Sequence, residues 1–89
     1  MNYRLNKLIL GHRKEIGEKQ SSYAQKLGIS KQDLCDIERF RKNVGLKRAV
    51  QFSQNINIPM EKILECVISD MLDREGLEFS VKVDKKENG

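Results

Sequence analysis

An all-α fold of five short helices followed by one short β-strand is predicted for this 89-residue chain by three observations. Apolar residues recur at helical spacing in separate blocks between Leu5 and Leu72. The stretch Gln20 to Arg41, QSSYAQKLGISKQDLCDIERFR, reads as two short helices joined by a tight turn at Gly28 and ending in basic residues. After Gly76 the period changes: Glu78-Phe79-Ser80-Val81-Lys82-Val83 alternates apolar and polar residues, as a strand does.

The first helix is expected from Asn2 to Ile16, with Leu5, Leu8, Ile9 and Ile16 on one face and Gly17 as its stop. The second runs from Gln20 to Leu27 and turns Tyr23, Ala24 and Leu27 inward. Gly28 supplies the positive φ that so short a turn demands. Ser30 can cap the third helix by accepting a backbone N–H, with Asp33 three residues on in a near-capping-box position. That helix ends at Arg39 or Phe40. Leu34 and Ile37 face inward, and Lys31, Gln32, Cys35 and Asp36 face outward. A fourth helix spans Leu46 to Ile56 and buries Ala49, Val50, Phe52, Ser53 and Ile56, with Asn57 as a left-handed terminator. Pro59 opens a fifth helix, where a missing N–H is tolerated, and Gly76 closes it. The polar tail from Asp84 to Gly89 is expected to fray.

Composition narrows the function classes. The chain is long enough for one domain and too short for two. Its net charge of +4 is unevenly spread. Residues 1–48 carry 12 Lys/Arg against 5 Asp/Glu, and residues 49–89 carry 5 against 8. A basic N-terminal half suits a polyanion. No apolar run approaches the ~20 residues that span a bilayer, and the N-terminus lacks a signal-peptide apolar stretch, so a cytoplasmic protein is expected. Cys35 and Cys66 give neither a zinc spacing nor a disulfide framework, and His12 has no local metal partner. No metal or cofactor is expected. Without a nucleophile–base pair, a metal cluster or a phosphate loop, no enzyme is expected either.

Between Leu8 and Leu64, roughly two thirds of the chain, the order and spacing of these signals are similar to those of a known family. Arg13 stands in the first helix, Gln20 opens the second, and Tyr23-Ala24 follows where the family has Leu-Ala. Leu27-Gly28-Ile29-Ser30 makes the turn, Ile37-Glu38-Arg39 closes the third helix, and Ile56-Asn57-Ile58-Pro59 precedes the last. The chain thus resembles the lambda-repressor/Cro-like helix-turn-helix family, also called the Xre family. It departs in Lys19, where a Ser or Thr cap is usual, and in Phe40, where a glycine is usual. Phe40 is expected to pack on the protein or to extend the third helix by a residue.

The resemblance implies a domain over residues 1–74 that binds double-stranded DNA, with the third helix in the major groove. Lys31, Gln32 and Asp36 fall at its reading positions, and each good base contact contributes ~1–3 kcal/mol of discrimination. Asp36 either accepts from cytosine or repels phosphates. Cys35 faces outward and touches a thymine methyl or nothing. Phosphates fall to Gln20 at a helix N-terminus, to Arg39, Arg41 and Lys42 after the reading helix, and to Lys47 opening the fourth helix beside Arg48. In the family, residues at the positions of Arg13 and Glu38 form a partly buried ion pair, so both are assigned to structure.

Residues 75–89 are expected to form a strand and tail that serve dimerisation. A lone strand leaves its backbone groups unpaired, so Phe79, Val81 and Val83 call for a partner. A second copy of the chain is the simplest. Folding back on the same chain and docking on a different protein are the others. Val67, Ile68, Met71 and Leu72 give the fifth helix more apolar length than one domain needs, which favours a homodimer. A dimeric transcriptional repressor is therefore the expected function, and the antitoxin of a toxin–antitoxin pair is the alternative.

Overall fold

The computed structural model describes residues 3–84. Five helices follow in order: α1 (Arg4–Glu15), α2 (Gln20–Leu27), α3 (Lys31–Glu38), α4 (Leu46–Asn55) and α5 (Met60–Arg74). α1 packs on α3 and α5, α2 packs on α3 and α4, and α4 packs on α5. α1 and α4 therefore join the C-terminal helix to the α2–α3 pair.

The core forms where helical spacing brings apolar residues to one face. Leu5 and Ile9 of α1, Tyr23 and Leu27 of α2, Leu34 and Ile37 of α3, Ala49 and Phe52 of α4, and Ile63 and Val67 of α5 are all buried. Each large side chain fully removed from water contributes ~1.5–3 kcal/mol. Ala24 is also buried, and its small side chain lets α2 sit close to its neighbours. Val44 and Ile58 join the core from the connections, where no period announces them.

Helix ends show how local chemistry sets the path. α1, α2 and α5 are each followed by a glycine in the left-handed region: Gly17 at φ 69°, Gly28 at 77° and Gly76 at 71°. At Gly28 the reversal is closed by Gly28 N–H to Gln25 O at 3.1 Å and Ile29 N–H to Ala24 O at 3.0 Å. α3 ends with the same pair of bonds, Phe40 N–H to Ile37 O at 3.1 Å and Arg41 N–H to Asp36 O at 2.8 Å. There the left-handed residue is Phe40, at φ 62°. A side chain in that conformation costs ~1–2 kcal/mol. The Phe40 ring offsets this by stacking on Tyr3, with centroids 5.0 Å apart and planes 18° apart. Phe40 thus packs on the protein and does not extend α3.

The α1 N-terminus is capped from far along the chain. Asp70 of α5 is only 8% exposed. Its Oδ1 accepts from Arg4 N–H at 3.0 Å and its Oδ2 from Leu5 N–H at 3.1 Å. The Arg4 guanidinium reaches both Asp70 and Asp73. A carboxylate at the positive end of a helix satisfies donors that the helix itself cannot.

Several expectations are corrected. Among the described residues, 75–84 contain no strand. A ladder needs a neighbouring strand, and the described residues offer none. Instead Val83 N–H donates to Glu65 Oε1 at 2.9 Å, which ties that point of the segment to α5. Val67, assigned to dimerisation, is 2% exposed and belongs to the domain's own core. Ile16 lies past the end of α1 and is exposed. Asn57 has no positive φ, because α4 ends through an extended Ile56. The expected helix start at Asn2 and the tail from Lys85 to Gly89 lie outside the described residues.

Candidate nucleic-acid interface

α3 has one buried face and one face to solvent. Leu34 and Ile37 are fully buried, Lys31 and Gln32 are exposed, and Cys35 and Asp36 are half-buried. Ser30 starts the helix as a side-chain cap, its Oγ accepting from Asp33 N–H at 3.0 Å. Gly28 lets α2 and α3 meet across a three-residue connection, Gly28 to Ser30. The solvent face of α3 therefore stands on a short, fully bonded turn.

The C-terminal end of α3 is held by a buried ionic knot. The Glu38 side chain is 4% exposed and that of Arg13 is 15% exposed. Arg13 Nε donates to Glu38 Oε2 at 2.6 Å and Arg13 Nη2 donates to Oε1 at 3.0 Å, a two-pronged guanidinium–carboxylate contact. Arg13 Nη1 also donates to Glu18 O at 2.9 Å, which fixes the α1–α2 connection. Hydrogen bonding to Glu38 raises the Arg13 pKa. Gln20 Nε2 donates to Glu38 Oε1 at 2.8 Å. The Gln20 amide is thus committed to this knot, so what α2 presents to an anion is its first-turn backbone N–H groups. Burial pushes the Tyr23 phenol pKa up, and its hydroxyl meets His12 Nδ1 at 2.8 Å. α1, α2 and α3 are tied together by these contacts.

A buried amide that sequence reasoning missed holds the loop after α3. Asn6 is 2% exposed. Its Nδ2 donates to Ile37 O at 2.7 Å and to Lys42 O at 3.0 Å. One side chain therefore clamps the last turn of α3 and the backbone of the basic loop. The available signal was an amide three residues before Ile9, on the face of α1 that packs inward. Asp70, three residues after Val67 on the inward face of α5, carried the same kind of signal.

The cations assigned to phosphates take different positions. Arg39, Arg41 and Lys47 are exposed. Lys42 Nζ meets Asp33 Oδ1 at 2.6 Å, and Arg48 Nη2 approaches Asp33 Oδ2 at 3.8 Å. The hydrogen bond from Lys42 holds the Asp33 carboxyl below its ordinary pKa range. Arg41 Nη1 lies 4.0 Å from Asp36 Oδ1, and Gln32 Nε2 donates to the same oxygen at 3.1 Å. Two of the assigned reading residues, Gln32 and Asp36, are thus bonded to each other in the unbound protein. Lys31, in the first turn of α3, is exposed.

The residues assigned to dimerisation divide in the same manner. Phe79 is 69% exposed and Met71 is 42% exposed. Ile68, Leu72, Val81 and Val83 are half-buried, and Ile68 packs against the core. Leu77, which sequence reasoning did not single out, is exposed as well. No helix among the described residues is long and apolar enough to cross a membrane.

Comparisons of this chain with protein-family models, with curated proteins and with solved structures return no match.

Proposed function

We propose that this chain is a sequence-specific DNA-binding transcriptional regulator of the lambda-repressor/Cro-like kind, and that it reads the major groove with α3. The observation that carries this is the α2–Gly28–α3 unit. Its solvent face, with Lys31 and Gln32, is flanked by Arg39, Arg41, Lys42, Lys47 and Arg48, while Arg13, Gln20 and Glu38 lock its angle from behind. Of these cations, Arg41, Lys42 and Arg48 approach the carboxylates of α3 itself, so such a unit would offer base-edge donors beside phosphate-binding cations. Lys31 would donate to guanine and Gln32 to adenine, once Gln32 leaves Asp36. Asp36 would then be open to a cytosine amino group. In this role the protein works in the cytoplasm on the chromosome, without catalysis and without a cofactor.

A homodimer built by the C-terminal segment completes the proposal. Met71, Leu77 and Phe79 are exposed apolar residues available to it, and residues 77–84, which have no regular structure in the single chain, would pair with their own copy across a two-fold axis. Two α3 helices would then face half-sites about one DNA turn apart. The same exposed segment supports a second reading, an antitoxin whose tail binds a toxin, and a toxin gene next to this one would favour it.

Selection of bound sites from random duplex DNA at stated salt tests the proposal. A palindromic consensus is the expected result. Binding that fades with salt and shows no sequence preference would overturn sequence-specific regulation.

A further inference from the structure

We propose that Asp33 is a displaceable counter-ion: it holds Lys42 and Arg48 in the free protein, and a DNA phosphate takes its place on those cations in the complex. This rests on the DNA-binding function proposed above and adds to it a residue that tunes phosphate-driven affinity. The cluster joins charges from three elements. Asp33 stands in the first turn of α3, Lys42 comes from the loop after α3, and Arg48 comes from the first turn of α4. Like any carboxylate of ordinary pKa, Asp33 is ionised at neutral pH, and the hydrogen bond from Lys42 lowers its pKa further.

Exposure makes the exchange feasible. The side chains of Lys42, Arg48 and Asp33 are 41%, 38% and 28% exposed. Water already screens this cluster, so opening it leaves no buried charge behind. The backbone of the loop stays in place meanwhile, because Asn6 holds Lys42 by its carbonyl and not by its ammonium. Duplex DNA presents one phosphate charge per ~1.7 Å, a dense supply of competing anions. Any duplex must displace Asp33 to gain these two cations. That cost is the same at a cognate and at a random site, so Asp33 lowers phosphate-driven affinity and leaves the choice of sequence to Lys31 and Gln32.

The test measures affinity for a random-sequence duplex across a potassium chloride series. Wild type is compared with Asp33→Asn, Lys42→Gln, Arg48→Gln and the triple variant. Circular dichroism and melting establish that each is folded. Asp33→Asn is expected to bind more tightly by a factor of about 5, the ceiling for an exposed pair, with the salt slope unchanged. Lys42→Gln and Arg48→Gln should each shrink the slope by ~0.9, one phosphate contact apiece. In the triple variant the gain from Asp33→Asn should vanish. If folded Asp33→Asn binds no tighter than wild type, or keeps its gain without the two cations, the counter-ion role is overturned and DNA binding itself stands. Should Asp33→Asn not fold, unchanged slopes in the two cation variants overturn it instead. A wild-type protein that binds no duplex at low salt removes both proposals together.

Discussion

Glu38 and Asp33 are carboxylates of one eight-residue helix, and each gathers partners from other parts of the chain. Glu38 is 4% exposed and takes the Arg13 guanidinium and the Gln20 amide in fixed, short bonds. Asp33 is 28% exposed and takes one ammonium closely and one guanidinium loosely. A buried anion cannot release its partner without being stranded, whereas a wet one can trade it for another charge. One end of α3 is thereby anchored to the scaffold, and the other is open to exchange. The same functional group serves structure or recognition according to how much water reaches it.

The largest break in this contrast is Glu38→Ala. Removing one partner of a buried pair leaves Arg13 uncompensated, and a loss of ~3–5 kcal/mol is expected from urea unfolding. Added salt should recover little of it, because the pair is shielded from solvent. Asn6→Ala removes an uncharged clamp on the same end of α3. It takes the Asn6 donor from the Lys42 carbonyl and from the Ile37 carbonyl, which keeps Phe40 N–H, with an expected loss of ~1–3 kcal/mol that does not vary with salt. A result near zero for Asn6→Ala would mean that water replaces the amide and that the loop is held by other contacts.

Phe40 probes the termination of α3, just beyond Glu38. Phe40→Ala keeps the left-handed strain and loses the Tyr3 stack, while Phe40→Gly loses the stack and relieves the strain. Phe40→Gly should therefore be the more stable of the two by ~1 kcal/mol, read from thermal or urea unfolding. Asp33→Asn is expected to have the smallest effect on stability at pH 7, because water screens an exposed pair. Its pH dependence has a definite sign. Asp33 has a folded pKa below its unfolded value, so its contribution is full above the ordinary carboxylate pKa of about 3.9 and is lost as pH falls through the folded value. The stability gap between wild type and Asp33→Asn should close over that acid range. A gap that persists below it would assign the effect to helix capping and not to charge.

What could be read from sequence was what depends on near neighbours. The helices announced themselves through the spacing of residues such as Leu5 and Ile9, Leu34 and Ile37, and Ile63 and Val67. Ser30 and Gly28 carry turn chemistry complete within a few residues. Asn6 and Asp70 were not legible, because their partners lie 31 to 66 residues away. Asp33 and Lys42 were visible as charges and not as a pair, since their meeting depends on the reversal at Phe40. Alternation over 78–83 was a true local pattern, but pairing is a property of two segments, and one chain supplies one. Val67 was assigned outward by counting apolar length, without knowing how much of α5 its own domain covers.

The cap that Asp70 places on α1 has a consequence for synthesis. A chain leaving the ribosome presents α1, α2 and α3 long before residue 70 emerges. Until then the first donors of α1 lack their acceptor, and the helix that carries Arg13 and Asn6 is incomplete at its start. The unit that would grip DNA is thus finished last, although most of its residues are made first. Contacts so far apart in sequence slow folding, and they also keep a partly made copy from maturing ahead of the whole.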